Sequence, residues 1–378
     1  DRDFLKKYSE LPEMALSFQV SKGLVDKATE IRLKQHAMRC AGCGGKVASS
    51  ILSDVLQQLP QVPNKDVLSP ASRVEDAAMI QIDPGRLLLQ TVDEIRAFIN
   101  DPWVFAKIAT NHCLSDIYAM GAEPHSALAI IGIPFAATNL MREQLHEIMQ
   151  GCTEILTKSN CALIGGHSAE SSELSFGLVV NGFSDPKKII NKNGMASGDI
   201  LILTKPLGTG TLLAANMRYK ARNRWMETAL EQMLTSSQDA AAIIVKHDVN
   251  ACTDVTGFGL AGHLLEMLEA EQIEVDLRLE DLPILDGAVE CIEKKIFSSL
   301  HQDNSQVAVA IHNSETFSKN PLYELLFDPQ TAGGLLVSLP EASAADCLRE
   351  LQKSGYPHAK AIGRVSNINA GLPAIILK

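Results

Sequence analysis

In the stretch RCAGCGGKVASS (39–50), Cys43 and Lys46 stand three residues apart on a tether of two glycines. An ammonium close to a thiol favours the thiolate and can also hold a phosphate oxygen. Cys40 gives the same stretch the look of a C-x-x-C motif. Structural zinc needs four ligands, usually from two paired motifs, and the sequence has no second pair. A thioredoxin-like redox pair sits at a helix N-terminus, a setting that Gly42 and Gly44 do not supply. A Walker loop fails twice: Cys40 stands where its first glycine belongs, and Val47 follows the lysine where Ser or Thr would bind magnesium. Two readings remain, a mobile glycine loop presenting a reactive Cys43 or a buried turn with an inert cysteine. Glycine on both sides of Cys43 argues against deep packing and favours the first.

Four aspartates carry the second signal: Asp76 in RVEDAAMI, Asp93 in LLQTVDE, Asp116 in CLSDIYAMG and Asp254 in ACTDVTGFG. Each adjoins apolar or small residues instead of a solvated charge run. One such aspartate is usually a cap or turn residue; four at strand or helix ends suggest a convergent site. Facing a polyphosphate, like charges repel unless divalent cations lie between them, and aspartate plus phosphate oxygens form the usual shell of Mg²⁺. The pattern predicts a metal-bridged nucleotide. IGGHSAESSE (164–173), DVTGFGLAGH (254–263) and DPQTAGG (328–334) read as glycine loops. Their backbone N–H groups could take anionic oxygens, with Ser168 or Thr256 adding hydroxyls. His112 and Asp116, four apart, could share a metal, but a half-exposed histidine on a core-packing helix is the plainer reading. His167 and His263 read as hydrogen-bonders that fix loops.

The elements that must position these residues follow from periodicity and punctuation. Apolar residues at 47, 51, 52, 55, 56 and 59 mark a helical face ended by Pro60. AAMIQI (77–82) and RLLLQTV (86–92) read as strands around an Asp83-Pro84-Gly85 turn. Asp101-Pro102 supplies an N-cap and first-turn proline for a helix to about Met120, stopped by Gly121. Phe105, Ala109, Cys113, Ile117 and Met120 form its core stripe. Strands are expected at 126–134, 161–166 and 174–183, with a helix over 139–158. The polar stretch NKNGMASGD (191–199) is the best domain boundary. Beyond it, strands over 200–208, 273–279, 333–339 and 359–366 and a helix over 341–353 are expected. The expected organisation is an arm or linker over 1–35, one domain over 36–190 and a second over 191–378, each a layered α/β or α+β unit.

A chain of 378 residues exceeds one compact core and suits two domains. A net charge of −11 argues against a nucleic-acid or anionic-membrane surface as main partner, and 5% aromatics supply few stacking platforms. The longest apolar run, Ala127 to Ala137, contains Gly132 and Pro134 and cannot span a bilayer. Six of the eight cysteines are scattered singly and no N-terminal apolar segment stands out, which points to a reducing cytoplasm. The first residue is Asp1 instead of Met, which suits a fragment or processed form.

Read together, AGCGGK, EDAAM, LLQTVDEI, SDIYAMGAEP, IGGHSAE, TDVTGFGLAGH and DPQTAGGLL, in unbroken order over residues 36 to 378, resemble the selenide, water dikinase family. Several of these motifs also resemble the wider aminoimidazole ribonucleotide synthetase-like superfamily. The resemblance implies a two-domain fold with an N-terminal ATP-binding α/β domain, a C-terminal α+β domain and a homodimer built on the N-terminal domains. It implies ATP-dependent formation of selenophosphate from selenide and water, with AMP and phosphate released and Mg²⁺ required. By motif position, Cys43 matches the family's catalytic Cys or selenocysteine and Lys46 its essential lysine. Asp76, Asp116 and Asp254 match magnesium-binding aspartates. Arg73, Val74, Glu75, Asp93 and the run Gly165, Gly166, His167 and Ser168 match nucleotide-contacting positions, with Lys46 and Asp116 also at the nucleotide. Many relatives have a second cysteine where Gly45 stands, so a Cys-x-Cys mechanism is excluded here. Selenide or a selenium-delivery protein is the implied partner. Residues 1–35 fall outside the resemblance and would suit the tail of a fused upstream oxidoreductase module. The alternatives are another ATP-using member of the superfamily (a purine-pathway cyclo-ligase, a thiamine-phosphate kinase or a hydrogenase-maturation dehydratase) or a non-catalytic nucleotide- or selenium-binding regulator.

Overall fold

The computed structural model describes residues 41–42, 64–68, 75–268, 273–368 and 375–378. The helix expected over 47–59 and the arm over 1–35 lie outside these residues. Helices of seven or more residues are labelled below.

Two sheets organise the chain. β1 (Ala78–Asp83), β2 (Arg86–Arg96), β3 (Glu123–Pro134), β4 (Ala162–Ser171) and β5 (Ser175–Ser184) form the first, in the order β1-β2-β5-β3-β4. All neighbours are antiparallel except β3 and β4. The parallel pair requires a crossover, and α2 (Thr138–Lys158) provides it. The second sheet contains β6 (Ile200–Leu203), β7 (Ala251–Asp254), β8 (Ile273–Leu277), β9 (Leu335–Leu339), β10 (Lys360–Asn367) and β11 (Ile375–Leu377), in the order β11-β8-β10-β6-β9-β7. Around it lie α3 (Thr209–Met217), α4 (Asn223–Leu234), α5 (Gln238–Ile244), α6 (Gly259–Leu268) and α7 (Glu341–Lys353). No helix among the described residues is long and apolar enough to cross a membrane.

The helix α1 (Pro102–Ala119) joins the two halves. The Asp101 side chain accepts from the Val104 amide at 2.9 Å, and Pro102 opens the first turn, as the sequence predicts. Phe105, Ala109, Cys113 and Ile117 pack into the core of the first sheet. Ile108 instead joins Leu212 and Leu213 of the second half, and Asn111 donates to the Leu234 carbonyl at 2.8 Å. The helix is therefore buried on both flanks, and His112 is fully buried instead of half-exposed. A helix covered on one side only would show a polar stripe; this one has two protein neighbours.

The stretch at 161–166 extends further than expected. β4 runs to Ser171, so the GGHS glycines lie inside an edge strand instead of a loop. They sit there because β3 passes so close that a Cβ on Gly166 would lie 2.2 Å from the Ala129 carbonyl oxygen. Two short strands, β7 and β11, escaped the sequence reading; at four and three residues they are too short to establish a period.

Candidate metal and nucleotide site

Three of the four aspartates converge. Asp76 lies two residues ahead of β1, Asp116 one turn before the end of α1, and Asp254 at the end of β7. One carboxylate oxygen from each lies within 4.8 Å of the others. Asp116 Oδ2 accepts from the Thr91 hydroxyl at 2.5 Å, and Asp76 Oδ1 accepts from the Thr253 hydroxyl at 3.0 Å. Of the other oxygens, Asp76 Oδ2 and Asp254 Oδ2 are buried with no hydrogen-bond partner among the described residues. Leaving a buried carboxylate oxygen unpaired costs several kcal/mol unless a ligand completes it. A hard oxygen-only donor set with two orphaned oxygens fits Mg²⁺ or a similar divalent cation.

The charges respond to this crowding. Burial, then the neighbouring charges of Asp254, Asp93 and Asp76, push the Asp116 carboxyl well above the ordinary carboxylate range. Burial and Asp76 push Asp254 up to about 6. Asp76 is also raised by burial, which the adjacent Lys192 only partly offsets. Like charges held together in a dry site favour the neutral form, and a divalent cation reverses that preference.

Asp93 stands beside this cluster without joining it. Its Oδ2 lies 3.5 Å from His112 Nε2, and its backbone carbonyl accepts from Cys113 Sγ at 3.3 Å. His112 thus faces Asp93 and not a metal position with Asp116.

A second group, unrecognised in the sequence, supports Asp76. The Lys192 ammonium lies 2.9 Å from Asp76 Oδ1 and 2.8 Å from Glu266 Oε2. His263 Nδ1 lies 3.1 Å from the same Glu266 oxygen, and its Nε2 lies 3.2 Å from the Thr256 hydroxyl. Burial alone would raise Glu266, but Lys192 and His263 outweigh it and hold it at about 2. Burial would likewise deprotonate Lys192, but Asp76 and Glu266 overcome it and hold the ammonium well above its ordinary value. The network turns Asp76 so that one oxygen is fixed and the other is left open. His263 is the loop-fixing hydrogen-bonder the sequence suggested, and Thr256 is engaged with it instead of an anion. Lys192 sits in the polar stretch read as a boundary, and nothing in its spacing from Asp76 could reveal the contact.

The glycine stretch 328–334 is also closed. Asp328 through Gly334 are all buried. Gln330 Oε1 accepts from the backbone amides of Gly208 and Thr209 at 3.0 and 3.2 Å, so the start of α3 is capped by protein.

Comparison with known proteins bears on what this arrangement serves. Residues 74–184 match the model for the N-terminal domain of AIR synthase related proteins, and residues 196–370 match its C-terminal counterpart. The selenide, water dikinase of Bdellovibrio bacteriovorus is 34% identical over 344 residues, covering 89% of this chain and 96% of that protein. That of Campylobacter jejuni is 36% identical over 332 residues, covering 88% and 95%. The chain belongs to the selenide, water dikinase family. Its fold is shared more widely. Thiamine monophosphate kinase from Aquifex aeolicus superposes with a TM-score of 0.57 at 17% identity, over 87% of this chain and 95% of that one. A structure of the HypE–HypF complex gives 0.62 at 14% identity, over 87% and 96%.

Within a selenide, water dikinase fold, the other expected positions fall into two groups. Cys43, Lys46, Cys40, Arg73 and Val74 lie outside the described residues. Glu75 accepts from the Lys192 amide at 3.3 Å, at the edge of the carboxylate cluster. Gly165, Gly166, His167 and Ser168 are exposed on β4. The register aligns Val92, Val179, Leu128 and Gly165 across four strands. Gly165 is therefore three strand spacings from β2, roughly 14 Å, and separate from the aspartates of its own chain.

Proposed function

We propose that this chain forms selenophosphate from ATP, selenide and water, releasing AMP and phosphate. The observation that carries this reading is the Asp76–Asp116–Asp254 cluster, with two orphaned oxygens, in a chain of this family. Asp76, Asp116 and Asp254 would hold Mg²⁺, which when bound neutralises phosphate oxygens and stabilises the charge spread over a transferring phosphoryl group. Thr91 orients Asp116, while Thr253 and Lys192 orient Asp76. The buried walls exclude bulk water, which strengthens every charge interaction within them. Arg73, Val74, Glu75 and Asp93 line the nucleotide side in this proposal.

Cys43 and Lys46 face selenium. Selenide is already anionic at neutral pH and needs no general base; it needs delivery and protection. The Cys43 sulfur holds or shields it, and the Lys46 ammonium bridges it to the phosphate being transferred. The γ-phosphoryl group passes to selenium as its bond to the β-phosphate breaks, leaving ADP. Water then cleaves ADP to AMP and phosphate.

The site takes its full form in a homodimer. Val92 is 59% exposed, and Val179, Leu128 and Ile130 lie half-buried on the sheet face opposite α1. A second copy covering this apolar face would bring its exposed β4, with Gly165–Ser168, to the first copy's nucleotide. The six described cysteines are free and buried, which suits a reducing cytoplasm.

Phosphorus NMR of ATP incubated anaerobically with selenide and Mg²⁺ tests the reading. The expected result is a selenophosphate signal with stoichiometric AMP. Cys43→Ser should abolish that signal while ATP still binds; ADP as the sole product of the native chain would refute the proposed reaction.

A further inference from the structure

Lys205, two residues past the end of β6, is a buried lysine that the mechanism above does not use. Its ammonium donates to two backbone carbonyls, Thr235 at 2.5 Å and Ala332 at 3.1 Å. No carboxylate among the described residues forms an ion pair with it. Burial pulls the ammonium down to about 7, and the charge of Asp254 opposes that fall. A methionine of similar length would sit in these surroundings without the penalty of burying a charge. The two N–H bonds are what a lysine adds here.

Each of the two carbonyls belongs to a different support of the carboxylate cluster. Ala332 takes a left-handed backbone, φ +48°, which a residue with a Cβ adopts only against a steric penalty. It lies in a turn built against the chain that follows Asp254. The Gln330 amide donates to the Thr256 carbonyl at 2.8 Å, and the Val255 amide donates to the Gly334 carbonyl at 2.8 Å. A Cβ on Gly333 would lie 2.0 Å from the Val255 carbonyl oxygen, so the two segments are in direct contact. Thr235 closes α4 on the other side. The carbonyl before it, that of Leu234, accepts from Asn111 of α1 at 2.8 Å, five residues ahead of Asp116. Adjacent carbonyls at the end of α4 thus take one donor from the helix of Asp116 and one from the lysine that holds the turn behind Asp254.

We propose that Lys205 is a positioning residue that locks the 330–334 turn to the end of α4, on which α1 also rests, and so fixes Asp254 opposite Asp116 for a divalent cation. This deepens the cation site of the proposed function and rests on it. Lys205 forms an ion pair with neither carboxylate; it acts through Ala332 on the chain that carries Asp254. The oxygens that must share one cation come from separate elements, and the near-ideal octahedral shell of Mg²⁺ tolerates little drift between them.

The test titrates Mg²⁺ by calorimetry into the full chain, freed of metal with EDTA and dialysed, at a temperature where every variant is folded. By charge alone, Lys205→Met removes a cation near the cluster and should tighten Mg²⁺ binding. Positioning predicts the opposite, a dissociation constant on the order of tenfold higher. Asn111→Leu releases α1 from the same anchor and is expected to weaken binding in the same direction. The double variant should lose less than the two single losses combined, because both act through the end of α4. Ser338→Ala removes a buried hydrogen bond to Asp199 at the far end of β9 and should leave the affinity within about twofold. Unchanged or tighter binding in Lys205→Met overturns the proposal, as does equal weakening in Ser338→Ala, which would trace the loss to stability alone. Unchanged affinity in Asn111→Leu overturns the shared anchor even if Lys205→Met does not fold. A native chain that takes up no Mg²⁺ defeats the proposed cation site; native uptake with unchanged variants defeats this inference alone.

Discussion

At the scale of single residues, the carboxylates divide by what surrounds them. Glu266, held by the Lys192 ammonium and a contact with His263, is kept at about 2, whereas Asp254, buried with other aspartates, has a carboxyl pushed up to about 6. Above pH 6 Asp254 is an anion ready for a cation; below it, a cation must displace a proton. Mg²⁺ binding should therefore strengthen as pH rises from 5 to 7.5. The rise in melting temperature on adding Mg²⁺ to EDTA-treated protein is expected to be several degrees larger at pH 7.5 than at pH 5. An equal rise at both values would detach Asp254 from the cation. Titration of His301, which burial lowers, is common to both samples and cancels in the difference. The four aspartates were recognisable in the sequence from their apolar neighbours. Their division into three that converge and one beside them was not, because that depends on which strand faces which helix.

At the scale of elements, α1 carries most of the positioning. It holds Asp116 in the cluster, sets His112 against Asp93 and packs on both halves of the chain. Its start depends on the Asp101 cap. Asp101→Ala should cost about 1 kcal/mol of stability, typical of a lost N-cap. Urea denaturation measures it, and a midpoint unchanged within error would show that tertiary packing alone fixes the first turn. The helix was legible because cap, proline, apolar stripe and terminal glycine agree locally. The GGHS stretch misled because glycines signal turns when read alone. In β4 they answer a different demand, the close passage of β3, which has no signature along the chain.

At the scale of the whole molecule, the proposed homodimer would place a second copy on the open face of the first sheet, beside the exposed β4. Val92→Glu with Val179→Glu places two charges on that face, away from α1 and the aspartates. The double variant is expected to run as a monomer in light scattering and to lose ATP binding with all three aspartates intact. A dimer that persists would exclude this face. The sequence by itself determined the periodic elements, the family and the candidates for the reacting groups, because caps, turns and motif residues are local properties of the chain. Tertiary structure alone decided that Lys192 from the boundary stretch balances Asp76, that Asp93 pairs with His112, and that Lys205 donates to Ala332. Each of these joins residues distant in sequence, 19 to 127 positions apart, and a contact across such a gap is set by how sheets and helices pack, not by spacing along the chain.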